Sequence, residues 1–153
     1  MAEIRYSVAE ERDIPFINRT YTENIDSLHG VIRSDDVWKQ LLSEKDTLYH
    51  IVYNPMPVAW FRIDLEDGAF WLGMLQVRPM YQRRGIGKFI LSAVEKIAAG
   101  MGYPKIGIHT TEDNAAARAL YVSMGYTVTQ IGPCTTADGK ERVGYTFEKE
   151  VNR

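Results

Sequence analysis

The alternation of hydrophobic and polar positions predicts that the chain begins as an antiparallel sheet. Residues 4–8 alternate apolar and polar side chains, which is typical of a strand. Three more strand-like stretches follow at 47–53, 58–65 and 69–77, separated by short links rich in turn residues. Such links favour an antiparallel meander. Pro79 ends the third of these strands, because it has no N–H to donate to a neighbour.

Helical patterns occupy the region between the first two strands. Asp13 is placed to cap a helix whose first turn tolerates Pro15 and whose apolar face carries Ile14, Ile17 and Tyr21. Residues 22–33 show no clean period and are predicted as a loop, with a partial helix left open. Ser34 is placed to cap a second helix. We expect that helix to bury Val37, Trp38, Leu41 and Leu42.

The second half of the chain alternates helices and strands. Residues 85–101 carry apolar side chains at helical spacing and form the strongest predicted helix. The strand predicted at 105–110 makes a strand–helix–strand unit, which implies a parallel crossover. A helix at 114–124 and strands at 126–131 and 143–149 complete an α/β layer fold.

Composition narrows the class of protein. The chain has 153 residues, of which 45% are hydrophobic and 25% charged, and we interpret residues 1–153 as a single domain. A net charge of -2 gives no support for a nucleic-acid partner. The single cysteine, Cys134, allows neither an intramolecular disulfide nor a cysteine-rich metal site, and we expect no metal. We expect no secretory signal, no membrane contact and a cytoplasmic location, because no long apolar run is present.

One glycine turn stands between a predicted strand and the strongest helix. It reads Gln82-Arg83-Arg84-Gly85-Ile86-Gly87. Glycines let the backbone approach a phosphate closely, and a helix N-terminus offers unpaired N–H groups. Arg83, Arg84 and Lys88 add positive charge suited to a pyrophosphate.

Three interpretations compete for this turn when it is taken alone. A Rossmann dinucleotide site requires a third glycine, where this chain has Ile90. A Walker phosphate loop requires Lys followed by Ser or Thr, and Phe89 breaks that pattern. A tight strand–helix connection with a solvated basic rim remains as the interpretation without a ligand.

Two longer motifs resolve the choice. Residues 75–88, Leu-Gln-Val-Arg-Pro-Met-Tyr-Gln-Arg-Arg-Gly-Ile-Gly-Lys, closely resemble the acetyl-CoA signature of the GNAT superfamily of N-acetyltransferases. Residues 114–126, Asn-Ala-Ala-Ala-Arg-Ala-Leu-Tyr-Val-Ser-Met-Gly-Tyr, resemble a second signature of that family. The resemblance covers about residues 71–127, and the flanking segments match only in the order of their elements.

The resemblance implies both a fold and a cofactor site. The fold is a mixed sheet of about seven strands, antiparallel except for a parallel pair at strands four and five, flanked by about four helices. Acetyl-CoA would enter where these two strands separate, beside a bulge expected around residues 74–76. The implied contacts comprise the backbone of Leu75, Gln76 and Val77, the amides of Arg83, Arg84, Gly85, Ile86, Gly87 and Lys88, and the residues Gln82, Asn114, Ala117 and Tyr121.

The same resemblance suggests the general acid. Tyr121 occupies the position of the family's acid, and a phenol with an ordinary pKa of about 10 can protonate a thiolate whose conjugate acid has a pKa of about 8–9. The structural interpretation is a tyrosine packed in the core.

The general base is less constrained. His109 precedes Asn114 by five residues, where similar ribosomal-protein alanine acetyltransferases carry a catalytic Glu. A neutral imidazole can accept a proton from an amine, although a half-buried strand histidine explains the residue equally well. Glu23, Asp26 and His29 are weaker candidates for holding a cationic acceptor or relaying its proton. Cys134 is interpreted as a bystander or as pocket lining.

The leading hypothesis is an N-acetyltransferase that passes the acetyl group of acetyl-CoA directly to a primary amine of a small molecule or peptide. A CoA-binding sensor or assembly module without catalysis is the alternative. A nucleotide-binding domain is disfavoured by the broken Rossmann and Walker patterns. A homodimer is left open, since members of the family are often dimers.

Overall fold

A computed structural model describes residues 3–151, so the outermost residues of the single domain predicted over 1–153 lie outside the described residues. Its central sheet has seven strands in the order β1-β2-β3-β4-β5-β7-β6. The strands are Arg5–Val8 (β1), Thr47–Tyr53 (β2), Pro57–Glu66 (β3), Ala69–Val77 (β4), Lys105–Thr111 (β5), Thr127–Thr135 (β6) and Glu141–Glu150 (β7). The helices are Ile14–Glu23 (α1), Ile25–Leu28 (α2), Asp35–Leu42 (α3), Ile86–Gly100 (α4) and Ala115–Ser123 (α5).

The strand directions confirm the predicted fold class. All neighbouring pairs are antiparallel except β4 and β5, which are parallel. Five helices flank the sheet instead of about four, because α2 forms a single turn inside the segment predicted as a loop. His29 follows α2 as its C-cap, and its left-handed φ of 51° turns the chain away from the helix.

The two faces of the sheet carry different helices. On the first, here called the α4 face, α4 buries Ile86, Ile90, Leu91, Val94 and Ala98 against β3, β4 and β5. α5 lies beside α4 on this face, where an added Cβ on Gly87 would stand 2.9 Å from Leu120. The absence of a side chain at Gly87 therefore lets the two helices approach closely.

The opposite face, here called the α1 face, is covered by α1 and α3 only over the first strands. Trp38 of α3 is fully buried and packs edge-on against Trp60 and Tyr21, with ring centroids 5.6 and 5.1 Å away. Val37, predicted to be buried, is 44% exposed, so that prediction is wrong. Trp38, Leu41 and Leu42 form the stripe of α3 that packs on the core, and Val37 lies beside that stripe.

Candidate functional site

β4 and β5 separate soon after they meet. Their only paired residues are Trp71 with Gly107 and Leu72 with Ile108, among the residues that the structure describes. Gly73 follows as an extra residue in β4, because Arg62 of β3 pairs with Met74 and Ile63 pairs with Leu72. This bulge lies one residue before the predicted position, and beyond it the edge of β4 no longer pairs with β5.

An ion pair from β3 occupies the space beside Gly73. The guanidinium of Arg62 donates two hydrogen bonds to the Asp64 carboxylate, at 2.7 and 2.8 Å, and this pair crosses the bulge. A Cβ at position 73 would overlap the Asp64 carboxylate. A side chain at position 73 would therefore have to displace this ion pair.

The hydrogen bonds between β4 and β3 show which backbone groups of β4 face the gap. The N–H of Arg78 donates to the carbonyl of Val58 on β3, at 3.0 Å. Because successive strand residues direct their backbone groups to alternate sides, Gln76 faces β3, while Leu75 and Val77 face the gap. The resemblance assigns the backbone of Leu75, Gln76 and Val77 to the pantetheine arm of the cofactor. Of these three residues, Leu75 and Val77 direct their backbone groups into the gap, while Gln76 pairs with Trp60 of β3.

The Val77 carbonyl is held by two side-chain amides. Asn24 Nδ2 donates to it at 2.9 Å and Gln82 Nε2 at 3.0 Å. Asn24 Nδ2 also contacts the buried Gln76 Oε1 at 3.0 Å. The structure thus brings together the predicted residues Gln76, Val77 and Gln82. It adds Asn24, which the sequence analysis missed because an asparagine after a helix looks like an ordinary helix end.

The glycine turn forms an anion cradle of the predicted shape. Arg83 and Gly85 both have positive φ, of 62° and 83°, and α4 begins at Ile86. The first bond of the helix runs from the Phe89 N–H to the Gly85 carbonyl, which leaves the amides of residues 86–88 without helical partners. An added Cβ at Gly85 would meet nothing within 4 Å. Gly85 is therefore required by its backbone conformation, and the space above the turn is open.

The charged side chains of this turn are free to meet an anion. Arg83, Arg84 and Lys88 are exposed, while the Ile86 side chain is buried in the core, so only the amide of Ile86 can serve a ligand. Basic charge and unpaired N–H groups together favour a phosphate group at this position.

Tyr121 lies on the α4 face. It is 7% exposed and packs edge-on against Phe147, with ring centroids 5.4 Å apart. Burial raises the pKa of its phenol to about 12. The raised pKa keeps the phenol protonated at neutral pH. Its hydroxyl makes no hydrogen bond to another described residue and is therefore available to a ligand.

Asn114, which is predicted to contact the cofactor, has a structural contact within the protein. Its Oδ1 accepts a hydrogen bond from the Ala117 N–H at 3.2 Å and so caps α5. Its amide nitrogen has no partner within residues 3–151, and the residue lines a cavity. Ala117 is half-buried on the same turn.

His109 lies on the other side of the gap, on the α1 face. Its Nδ1 is 3.0 Å from the Thr146 hydroxyl, and its ring stacks on Trp71 with centroids 4.5 Å apart and planes at 15°. Tyr121 and His109 therefore flank the gap from opposite faces of the sheet. Trp71 is a wall of this site.

His109 stands where two cavities meet. One, of about 510 Å³, lies between α2 and the β6–β7 hairpin, and its lining includes Ser27, Cys134 and Tyr145. Apart from His109 its lining has no ionisable nitrogen or carboxylate. The other, of about 410 Å³, holds the charged residues Arg62, Asp64, Glu66 and Asp67. The first cavity is the neutral one, and Cys134 lines it.

A bridge of hydrogen bonds joins three segments whose neighbouring residues line the neutral cavity. His29 Nε2 contacts Asp113 Oδ2 at 2.7 Å, and the His29 carbonyl accepts from the Asp138 N–H at 3.1 Å. Three segments are joined in this way: the end of α2, the β5–α5 loop and the tip of the β6–β7 hairpin. We call these three residues the His29 bridge.

The acidic candidates of the early loop do not point to the gap. Glu23 accepts two hydrogen bonds from Arg78, at 2.9 and 3.0 Å, which hold the pKa of its carboxyl below the ordinary value. Asp26 is exposed on α2. A paired Glu23 is a poor general base, and its contact instead ties α1 to the residue after β4.

Two wider features of the described chain bear on function. Residues 3–151 contain no group of three or more His, Cys, Asp or Glu side chains that could hold a metal ion. No helix in that same range has the length and apolar character needed to cross a lipid bilayer.

Comparison with known proteins agrees with this geometry. A mycothiol acetyltransferase of Jonesia denitrificans is 28% identical over 67 residues, which are 44% of this chain and 21% of that protein, so the chain matches only about a fifth of that relative. The ribosomal-protein-S18-alanine N-acetyltransferase of Escherichia coli superposes with a TM-score of 0.76 and 22% identity, covering 99% of this chain and 96% of that one.

A Salmonella typhimurium protein assigned as an acetyltransferase, solved with its cofactor acetyl-CoA, has a TM-score of 0.78 and 18% identity over 98% of this chain and 95% of that one. At such identities the solved structures show a shared fold. Residues 14–126 match the acetyltransferase (GNAT) family. The match spans most of the chain, and this protein is a member of that family.

Proposed function

We propose that this protein transfers the acetyl group of acetyl-CoA directly to a primary amine of a small molecule or peptide. The observation that carries the proposal is the gap between β4 and β5, where the edge of β4 is not paired with β5 and leads to the open glycine turn at the start of α4. The cytoplasm, where acetyl-CoA is made and used, is the compartment we propose for the reaction.

The residues around the gap fit the cofactor. The amides of residues 86–88, with Arg83 and Arg84, would hold its pyrophosphate. Leu75 and Val77 would pair with its pantetheine arm as a neighbouring strand would. In that arrangement at least one of Asn24 and Gln82 would give up the Val77 carbonyl, because these two donors already occupy both lone pairs of its oxygen.

The transfer exchanges the carbon–sulfur bond of a thioester for the carbon–nitrogen bond of an amide. When bound, acetyl-CoA supplies a thioester whose carbonyl carbon bonds to the amine nitrogen as its bond to sulfur breaks, which yields an amide and the CoA thiol. The Leu75 N–H, which faces the gap, is suited to hold the carbonyl oxygen in the transition state.

Tyr121 and His109 would move the protons. Tyr121 donates its phenolic proton to the departing sulfur, and burial keeps that proton in place at neutral pH. His109 accepts a proton from the attacking amine on the opposite face and passes it to water. The phenol regains its proton from solvent, so each turnover returns both residues to their starting states.

Calorimetric titration of acetyl-CoA tests the cofactor assignment. Gly85→Glu places a carboxylate in the cradle and should abolish micromolar binding. Gly102→Glu is the matched control, because Gly102 follows the other end of α4, has a φ of 86° and also has open space around it. Backbone strain and added charge are the same in both variants, so equal loss of binding in both would contradict a cradle at Gly85.

Turnover of acetyl-CoA with a panel of amines separates an enzyme from a CoA-binding module. Release of free thiol that depends on an added amine and falls in Tyr121→Phe supports catalysis. Tight binding of acetyl-CoA without amine-dependent turnover supports the sensor or assembly module instead. An absence of binding at millimolar CoA would overturn both.

A further inference from the structure

Two contacts fix the imidazole of His109, and neither has a place in the motifs. His109 on β5 is the cross-strand partner of Thr146 on β7, and its Nδ1 is 3.0 Å from the Thr146 hydroxyl. On its other side the ring lies against the indole of Trp71, at 4.5 Å and nearly parallel. The side chain is thus held by a hydrogen bond and by a flat surface.

The indole reaches His109 because of a glycine on β5. Gly107 and His109 are two residues apart and therefore share a face of the strand. Gly107 pairs with Trp71, and a Cβ at position 107 would overlap the six-membered ring of the indole. Without a side chain at 107, the indole lies across β5 and extends to His109.

The hydrogen bond bears on which ring nitrogen can accept a proton. A neutral imidazole has one N–H and one lone pair. If Nδ1 carries the hydrogen and donates it to Thr146, then the lone pair is on Nε2. Nε2 of His109 has no protein partner in the part of the chain that the structure describes, and the residue lines both cavities.

We propose that Thr146 and Trp71, with the space left by Gly107, are positioning residues that hold His109 with Nδ1 protonated and Nε2 free to accept the proton of the acceptor amine. The proposal rests on the proposed acetyl transfer. It adds the tautomer and orientation of the base, which neither the motifs nor the fold specify.

The charges near His109 come from one side. Arg62, Asp64, Glu66 and Asp67 share a cavity with it, and the first two are paired with each other. Along the same face of β5 and β7, Lys105 pairs with Glu148 at 3.0 Å. No charged residue contacts Nδ1 within residues 3–151, so Thr146 alone among the described side chains engages that nitrogen.

Nitrogen-15 NMR of the imidazole rings tests the tautomer without any turnover. The chain has three histidines, and His109→Gln identifies the signals of His109 by their loss. In the unaltered protein above neutral pH we expect the shift pattern of an Nδ1–H imidazole. Thr146→Val, which keeps the shape and removes the hydroxyl, should move the pattern toward the Nε2–H form. An Nε2–H pattern in the unaltered protein would overturn the proposal.

Steady-state kinetics supply the second readout. Thr146→Val should lower kcat about tenfold, a fraction of what a general base contributes, and leave the KM for acetyl-CoA unchanged. Thr146→Ser should restore most of kcat and the Nδ1–H pattern. Thr127→Val, on the exposed edge strand β6, is the matched control and should alter neither. A fall in kcat that Ser does not rescue points to packing and contradicts the positioning role.

The two readouts also separate this inference from the proposed function. If His109→Gln turns over normally, the base assignment fails and with it the proposal, whatever the tautomer. If acetyl-CoA is bound and acetyl transfer depends on His109 while the tautomer is Nε2–H, then acetyl transfer stands and only the positioning role is overturned.

Discussion

Asn24 donates its side-chain amide to the carbonyl of Val77 and so ties the end of α1 to the last residue of β4. The bond, at 2.9 Å, joins residues 53 positions apart. It occupies a backbone group that faces the gap proposed for acetyl-CoA. The chain between α1 and α2 is therefore attached to the edge of β4 that the cofactor would follow in the proposed function.

The loss of this amide should weaken the fold. Asn24→Ala removes the donor that Gln76 Oε1 and the Val77 carbonyl share, and it leaves the buried Gln76 without that partner. We expect the free energy of unfolding to fall by about 1–3 kcal/mol, measured by urea denaturation. Gln40→Ala, which removes an exposed amide on α3, should change it by less than about 0.5 kcal/mol. Equal effects would refute the contact.

The pair between Glu23 and Arg78 should make stability depend on pH in one direction. Because Arg78 lowers the pKa of the Glu23 carboxyl in the folded state, the stabilisation is present above the unfolded-state pKa and is lost as the pH falls through the folded-state pKa. At neutral pH, Glu23→Gln should cost at most about 1 kcal/mol, since the pair is partly exposed to solvent. At about pH 3 the difference from the unaltered protein should shrink, because that pH lies below the unfolded-state pKa of the carboxyl and protonation then begins to offset the pair. Urea denaturation at the two pH values measures this, and a constant difference would refute it.

Tyr121 should retain its proton well into the alkaline range. Burial raises the pKa of its phenol to about 12, so the difference in tyrosinate absorbance between the unaltered protein and Tyr121→Phe should appear only near that pH. The proposed acid role predicts a loss in kcat of about 100-fold or more in this variant. The dissociation constant for acetyl-CoA should stay within about twofold. Normal kcat in Tyr121→Phe would exclude the residue as the acid.

The His29 bridge should limit local opening around the neutral cavity. His29→Ala removes the side-chain contact with Asp113, which should speed hydrogen exchange of the amides in α2 and in the β5–α5 loop by a few-fold to about tenfold. Exchange in α4 should stay the same, because that helix packs on the other face. Asp46→Asn, at an exposed carboxylate before β2, serves as the control. Unchanged exchange at both segments would show that the contact does not hold them together.

The parts of the site set by neighbouring residues were predictable from the sequence. Gly85 and Gly87 lie in one short turn, so a strand, a left-handed glycine and a helix start could be inferred from local spacing alone. The order of strands and helices, with the parallel pair of β4 and β5, follows from the same local patterns and is confirmed. Tyr121 and His109 remain predictions as catalytic residues, although their positions on either side of the gap are compatible with those roles.

What could not be predicted depends on contacts between distant segments. Asn24 meets Val77, and His29 meets Asp113 across 84 positions, and no periodicity records either contact. The bulge falls on Gly73 because a pair from β3 lies over it, which the sequence of β4 does not reveal. Val37 is exposed because the packed stripe of α3 runs through Trp38, Leu41 and Leu42, which depends on tertiary packing.

The overlap that a side chain at Gly107 would cause with Trp71 has an evolutionary consequence. Substitution of Gly107 alone would push the indole off β5, so in related proteins a larger residue at this position should accompany a smaller one in place of Trp71. Such paired changes are the covariation expected of two residues in direct contact. Lineages that keep the pair would keep a flat wall beside position 109, and lineages that lose it would be free to recruit another side chain there.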